Sequence, residues 1–309
     1  MLNPNQGIKI AILIPCYNSA NFLPELFEGI KSQSVPFHEV LCYDDYSTDN
    51  TIEIAERLGA KVIRGDKNRG PAYARNRLIE ACNSEYIHFH DSDDLIHANF
   101  VETIQKYIQD EDVQILCNAF VLDRNNRSNN LGNITYDSLS TADDQTLFFI
   151  DNIGFASVGL YSKKALKAID GFNEQLIGNE DPDLHIRLSI AGFKIKAISE
   201  FLITKLEHSE SLSHTRWNQC LADKLKCLEN YSSILSSNYH PALCRQGVQL
   251  SNYFYKENLI ELSFQAASLV KKCGNTPIRT SPFNTFISTY CGTQFYMWLF
   301  RRRVDLKLI

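Results

Sequence analysis

The chain has 309 residues, of which 44% are hydrophobic and 22% charged, so it can bury a sizeable core and is not disordered throughout. A formal net charge of −5 excludes a general nucleic-acid binder, because phosphate affinity needs a basic surface. No apolar stretch is long enough to span a bilayer, and MLNPNQG at the start has no basic region followed by an apolar one, so a cytoplasmic setting without a secretion signal is expected.

Charge is unevenly spread. Residues 1–208 carry 19 basic and 30 acidic side chains, whereas residues 209–309 carry 12 and 6. The change of sign suggests two regions with different partners, 1–214 and 215–309. No Pro/Gly/Ser-rich linker joins them. Nine cysteines, with no C-x-x-C pair, suit neither a disulfide framework nor a zinc site and are expected to act as small hydrophobes.

In chain order, the apolar run over residues 9–15 predicts a buried strand, and Phe22, Leu23, Leu26, Phe27 and Ile30 predict a helix over 21–33. Strands at 40–43, 61–64 and 86–89 alternate with helices at 48–58, 71–82 and 98–108, and a further segment follows at 114–122. Strand alternating with helix over four cycles predicts an α/β architecture, a mostly parallel central sheet with helices on both faces. The polar, Asn-rich segment 123–137 reads as a long binding loop bordering the site of an acceptor, or as a surface hairpin. From 215 onward, apolar residues at mixed spacings predict helices near 221–235, 244–254, 259–270 and 283–300.

In a parallel sheet all strand C-termini share one edge, where ligands bind. That edge carries Cys16-Tyr17-Asn18, Asp44-Asp45, residues 65–70, and His90 through Asp94. Two acidic clusters converging there need neutralising, and carboxylates with room for water suit Mn²⁺ or Mg²⁺. No G-x-x-x-x-G-K-[ST] or G-x-G-x-x-G motif is present, which excludes P-loop and dinucleotide-binding readings.

Five motifs in order, ILIPCYN at 12–18, YDDYSTDNT at 43–51, NRGPAYARN at 68–76, HFHDSDD at 88–94 and NEDPDLHIRLSIAGF at 179–193, resemble family 2 inverting glycosyltransferases of the GT-A, Rossmann-like fold. The resemblance covers about residues 8–215 and makes 1–214 the catalytic region. It implies that Tyr17 stacks on a nucleotide base, with Pro15 and Asn18 in the same turn. Asp45 would accept from the base N3–H and Asp44 would brace that turn. Arg75 would lie near the base and diphosphate. Asp91, Ser92 and Asp93 form the D-x-D element, Asp91 near ribose and metal and Asp93 a direct metal ligand. Asp181 would be the catalytic base, with Glu180 and Arg187 on the acceptor side. His208 would contact metal or diphosphate, with His214 the weaker alternative. Two residues depart from the family pattern: Tyr46 stands where glycine is usual, and Pro182 where an aromatic residue is frequent.

The chemistry expected is transfer of a sugar from a UDP-hexose or UDP-N-acetylhexosamine to a hydroxyl of a glycan or lipid-linked acceptor in cell-surface polysaccharide or lipooligosaccharide synthesis. A cation and basic groups would stabilise the leaving diphosphate, and one carboxylate would take the acceptor proton, inverting the anomeric carbon. Each residue also has a plainer reading. Asp181 alone would be a helix cap, Asp49 a turn or cap residue, Arg187 a structural ion pair, His88 and His90 packing residues, and His208 a surface histidine. A nucleotidyltransferase is the rival enzyme, disfavoured by the missing Gly-rich loop, and a non-catalytic sugar-nucleotide or glycan-binding module is the rival outside enzymes. Near the end, Phe295, Tyr296, Trp298 and Phe300 beside Arg301, Arg302 and Arg303 suit the interface of an anionic membrane. The alternative is a tail helix packing on the catalytic region or on a second copy in a homo-oligomer.

Overall fold

A computed structural model of the chain describes residues 8–108, 113–209, 211 and 215–274. It divides into two compact units, residues 1–215 and 216–309.

The first unit is built on one sheet. Strands β1 (Ile10–Cys16), β2 (Glu39–Asp44), β3 (Lys61–Arg64) and β4 (Tyr86–Phe89) pair in parallel in the order β3-β2-β1-β4. Their linking helices are α1 (Leu23–Lys31), α2 (Thr51–Leu58) and α3 (Pro71–Ala81). Every residue of β1 except Pro15 is buried, as a continuous apolar run requires when both faces are covered. In α1 the buried side chains are Leu23, Leu26, Phe27 and Ile30, the stripe that the sequence spacing gives. Helix α2 stops where Gly59 takes a left-handed φ of 102°. The chain runs outward from β1 to β3 and then crosses to β4 on the other side of β1. The strand order therefore switches direction between β1 and β4, and the crevice outside their C-terminal ends is where a ligand of such a sheet belongs.

Beyond β4 the sheet becomes mixed. Strands β5 (Leu95–Ile96), β6 (Gln114–Asp123), β7 (Asn130–Ile134), β8 (Gly159–Ser162) and β9 (Ile195–Glu207) extend it in the order β4-β8-β6-β9-β5, with β7 against β6. Here β8 is antiparallel to both β4 and β6, β5 is antiparallel to β9, and β6 runs parallel to β9. The sheet is thus an α/β sheet of the expected class with an antiparallel insertion. Helix α4 (Phe100–Ile104) gives way to a 3₁₀ turn at Gln105–Tyr107, shorter than the helix expected over 98–108. Helices α5 (Gln145–Asp151) and α6 (Lys163–Ala168) are capped by Asp144, whose carboxylate accepts from the Leu147 N–H, and by Ser162, whose hydroxyl accepts from the Ala165 N–H. Helix α7 (Glu180–Ile190) ends before Gly192, at φ 82°. The segment 123–137 is the hairpin of the two readings: β6 continues to Asp123 and β7 returns antiparallel to it, with a bulge at Val121/Leu122.

The second unit holds helices Trp217–Ile234, His240–Lys256 and Ile260–Lys272. The last two pack closely, since a Cβ on Gly247 would meet Val270 Cγ2 at 2.9 Å, and Ser251 and Ser263 each donate to the other's carbonyl at 2.9 and 2.8 Å. The fourth expected helix, at 283–300, and the aromatic-basic tail lie outside the described residues, as does His214. None of the eight described cysteines forms a disulfide, and all but Cys220 are buried. No helix among the described residues is long and apolar enough to cross a membrane.

Candidate active site

The turns leaving β1 and β2 are laced together. Cys16 O accepts from Asp45 N at 2.8 Å, and Ser47 Oγ accepts from Asn18 N at 2.9 Å. Asn18 Oδ1 accepts from Thr48 N at 2.9 Å, and the Asp49 carboxylate accepts from Ala20 N at 3.1 Å and Thr51 N at 3.0 Å. Asp49 is therefore the turn residue of its plainer reading. Pro15, half-buried, is the last residue of β1 but one, and Tyr17 is 51% exposed just beyond the strand. Asp44 braces its turn by accepting from Ser47 N at 3.1 Å. Asp45 is buried. Both its oxygens accept from Arg69 N, at 2.9 and 3.1 Å, and one accepts from Gly70 N at 2.7 Å, so it ties the loop before α3 to the sheet edge. Burial raises its pKa and the neighbouring Asp44 adds to the rise, against the lowering by those N–H groups.

On the other side of the switch point, His88 and His90 occupy alternate positions and are fully buried. His88 bonds to Gly159 O at 2.8 Å and to His90 at 3.0 Å. Burial lowers their pKa values to about 3 and about 4, so both are neutral packing residues at physiological pH. The acids that follow have different partners. Asp91 accepts from Arg75 at 2.9 Å and from Lys205 at 3.2 Å. Burial opposes its charge, yet Lys205 and Arg75 hold its carboxyl well below the ordinary range. Ser92 Oγ lies 2.8 Å from Ser19 Oγ, bridging the β4 and β1 turns. Asp94 is buried and accepts from Lys205 at 2.7 Å and from Leu206 N at 2.9 Å, which pins the end of β9.

Asp93 faces His208, with Oδ2 2.9 Å from Nε2. The His208 ring sits 5.5 Å from that of Phe22, and Arg124, from the hairpin, lies 4.4 Å over Phe22 while donating to the Asp93 carbonyl. Both Asp91 oxygens are taken by cationic side chains, which leaves Asp93 and His208 as the paired donors at the crevice. No group of three or more His, Cys, Asp or Glu arranged to hold a metal is present among the described residues. A partly exposed carboxylate and a largely buried imidazole beside it fit a divalent cation whose other positions are filled by phosphate oxygens and water, the arrangement such ions adopt on nucleotides.

Across the crevice, α7 presents Glu180 and Asp181 on its first turn, where the helix dipole favours a carboxylate. Arg75, buried on α3, joins them to the D-x-D segment. Its guanidinium donates to Glu180 at 2.9 Å, to Asp181 at 3.1 Å and to Asp91 at 2.9 Å, and it lies 5.2 Å over the Phe172 ring. Burial disfavours the charge on Arg75, but Asp181, Asp91 and Glu180 outweigh it and raise its pKa. Asp181 is held from its other oxygen by Ala156 N at 2.9 Å. Burial and the charge of Asp181 push Glu180 up to about 7, against the pull of Arg75. Arg187 donates to Asp183 at 2.7 Å and to Ile169 O at 2.8 Å, the structural ion pair of its two readings.

Sequence reasoning missed Lys205. Its ammonium touches Asp91, Asp94 and, at 3.3 Å, Ser157 Oγ; burial opposes its charge, while Asp94 and Asp91 hold its pKa well above the ordinary value. The signal was a lone lysine between the buried Ile203 and Leu206 in FLITKLEH. A cation in an apolar strand implies a buried acid opposite it.

The family model described as Glycosyl transferase family 2 matches residues 11–170. A glycosyltransferase of Streptococcus pneumoniae, GlyG, is 32% identical over 112 residues, 35% of this chain and 37% of that protein. Chondroitin synthase of Escherichia coli is 26% identical over 213 residues, 66% of this chain and 30% of that protein. The chain thus spans only about a third of the length of these curated relatives. Among solved structures, S. aureus TarS 1-349 in complex with UDP-GlcNAc superposes with a TM-score of 0.73 at 19% identity, covering 97% of this chain and 92% of that one. The mannosyltransferase PcManGT from Pyrobaculum calidifontis, in complex with GDP-Man and Mn²⁺, gives 0.61 at 16% identity, covering 99% of this chain and 88% of that one.

Proposed function

The chain belongs to glycosyl transferase family 2, a family of transferases, and from that premise we propose that it moves a sugar from a nucleotide sugar to a hydroxyl group with inversion at the anomeric carbon. The donor is a UDP-hexose or UDP-N-acetylhexosamine. The acceptor is a glycan or lipid-linked glycan of a cell-surface polysaccharide or lipooligosaccharide, and the enzyme works in the cytoplasm, at the inner face of the membrane. UDP-GlcNAc in the TarS complex and the polymer made by the chondroitin synthases support the donor and acceptor classes. The observation that carries the proposal is the bridge of Arg75 between Asp91 of the D-x-D segment and Asp181 of α7, which brings acids 90 residues apart in sequence to one crevice.

Asp181 acts as the general base. Its carboxylate is aimed by Ala156 N and Arg75 and accepts the acceptor proton as that oxygen attacks. Arg75 and the Ala156 N–H hold it fixed. Lys205 and Arg75 offset the charge of Asp91, so that a polyanionic diphosphate can approach the edge. Asp45 fixes the loop that shapes the base end of the site. Asp93 and His208 would hold a Mn²⁺ or Mg²⁺, which supplies charge stabilisation to the leaving diphosphate.

The test is a thermal-shift screen of UDP-, GDP- and TDP-sugars, each with and without Mn²⁺, since a ligand raises the melting temperature with its affinity. A UDP-sugar with Mn²⁺ should give the largest shift. No shift with any nucleotide sugar would defeat the proposal. Asp93→Ala should lose the Mn²⁺-dependent part of the shift and keep the fold, because Asp93 is only half-buried. An undiminished Mn²⁺ response in that variant would remove Asp93 from the cation site.

A further inference from the structure

Tyr46 has a backbone conformation that its side chain does nothing to repay within the protein. Its φ is 69°, in the left-handed region that favours glycine, and its side chain is 56% exposed. A bulky residue there is strained, and the strain is normally offset by packing or by function. Packing does not offset it, for the ring has no aromatic, ionic or hydrogen-bond partner among the described residues.

The neighbouring turn suggests what does. Tyr17, 51% exposed, stands on the turn leaving β1, which adjoins the turn leaving β2 that carries Tyr46. The parallel register of β1 and β2 ends at Cys16↔Asp44, and the lacing continues past it: Asp45 N donates to Cys16 O at 2.8 Å, and Asn18 N to Ser47 Oγ at 2.9 Å. Tyr17 and Tyr46 are the residues enclosed by those two bonds. Two exposed aromatic residues thereby stand on adjoining turns that these bonds tie together at the C-terminal edge of the sheet. Next to them, Asp45 anchors the Arg69–Gly70 loop.

We propose that Tyr46 is a specificity-determining residue that closes over the nucleobase of the donor opposite Tyr17, forming a two-sided aromatic clamp. This rests on the nucleotide-sugar reading above. Stacking between two rings accepts any flat base, so Tyr46 sets affinity for nucleotides over bare phosphates rather than the choice among bases. Glycine at this position would relax the backbone and remove half the clamp.

The measurement is binding of UDP and of inorganic pyrophosphate in Mn²⁺, by calorimetry, with melting temperatures of the ligand-free proteins. Tyr46→Gly should melt about 2 °C or more above the unaltered chain, because the strain is gone. Its UDP affinity should fall about tenfold while its pyrophosphate affinity is unchanged. Tyr46→Ala should lose the same UDP affinity without the rise in melting temperature, since alanine is strained there too, and Tyr46→Phe should bind UDP like the unaltered chain. UDP affinity undiminished in Tyr46→Gly overturns the clamp, as does an equal loss for pyrophosphate, which would mean a disturbed turn rather than a missing ring. Failure of the unaltered chain to bind UDP would sink the nucleotide-sugar reading itself, an outcome distinct from either.

Discussion

Asp181→Asn is expected to cut sugar transfer by about a thousandfold while leaving UDP affinity within about twofold. An amide occupies nearly the same space but cannot take a proton at neutral pH. The structure adds a cost on the protein itself. One Asp181 oxygen accepts from Ala156 N and the other from Arg75, and an asparagine has a single oxygen to offer. One of those two bonds is lost, and stability should drop by about 1–2 kcal/mol. UDP release from the donor identified by thermal shift measures the first effect and urea denaturation the second. Turnover near that of the unaltered chain would show that another group takes the proton, and Glu180 would be the candidate, being the neighbouring acid whose pKa is raised.

Arg75→Met should be the most destabilising single change in the first unit, by about 3–5 kcal/mol, because it leaves Asp91, Glu180 and Asp181 around a buried position with no cation between them. The loss should depend on pH, and its sign follows from the carboxyls. Glu180 is already raised to about 7 with Arg75 present, and without Arg75 it must rise further. A carboxyl whose folded pKa lies above its unfolded value is bound to a proton in the folded state at low pH, and that contribution is lost as pH rises through the folded pKa. Below pH 7 Glu180 stays protonated in both folds, so the deficit of Arg75→Met should grow as pH rises above about 7, where Glu180 ionises beside Arg75 but not in the variant. Arg75→Lys, which keeps the charge but not the fork, should fall between the two. A deficit independent of pH would mean that the three acids are not held together by this guanidinium.

The parallel half of the sheet was legible because a strand buried on both faces must be a continuous apolar run, as in IAILIPC, and because the helices between such strands keep a buried stripe. The antiparallel insertion was not. Strand β8 is four residues long and β5 two, too short to show any period, and their partners lie far away in sequence. The hairpin at β7 looked like a loop because Asn130, Gly132 and Asn133 are polar or small and Leu131 is exposed with them, so no alternation of buried and exposed positions marks the strand.

The site divides in the same way. Residues at strand exits and helix starts were legible by motif: Asp45, Asp91 and Asp93 follow β2 and β4 at the C-terminal edge of the sheet, and Asp181, on the first turn of α7, is joined to Asp91 through Arg75. The partners of those residues were not legible. Arg75 was expected near a diphosphate, yet its guanidinium is shared among acids 16, 105 and 106 positions away. Lys205 meets Asp91 across 114 positions. Local pattern encodes which segments turn and cap, whereas the pairing of buried charges is decided by tertiary packing. Tyr46 is the reverse case. As a departure from the family pattern it stood out in sequence, and only the backbone angle explains why glycine is usual there.

The central claim is that this crevice holds a nucleoside diphosphate through a cation at Asp93 and His208. Calorimetric titration of the chain with UDP, once in Mn²⁺ and once after EDTA, tests it most directly. The account predicts saturable one-site binding in Mn²⁺ that weakens at least about tenfold when the cation is removed. Binding of equal strength in both, or none in either, would contradict it.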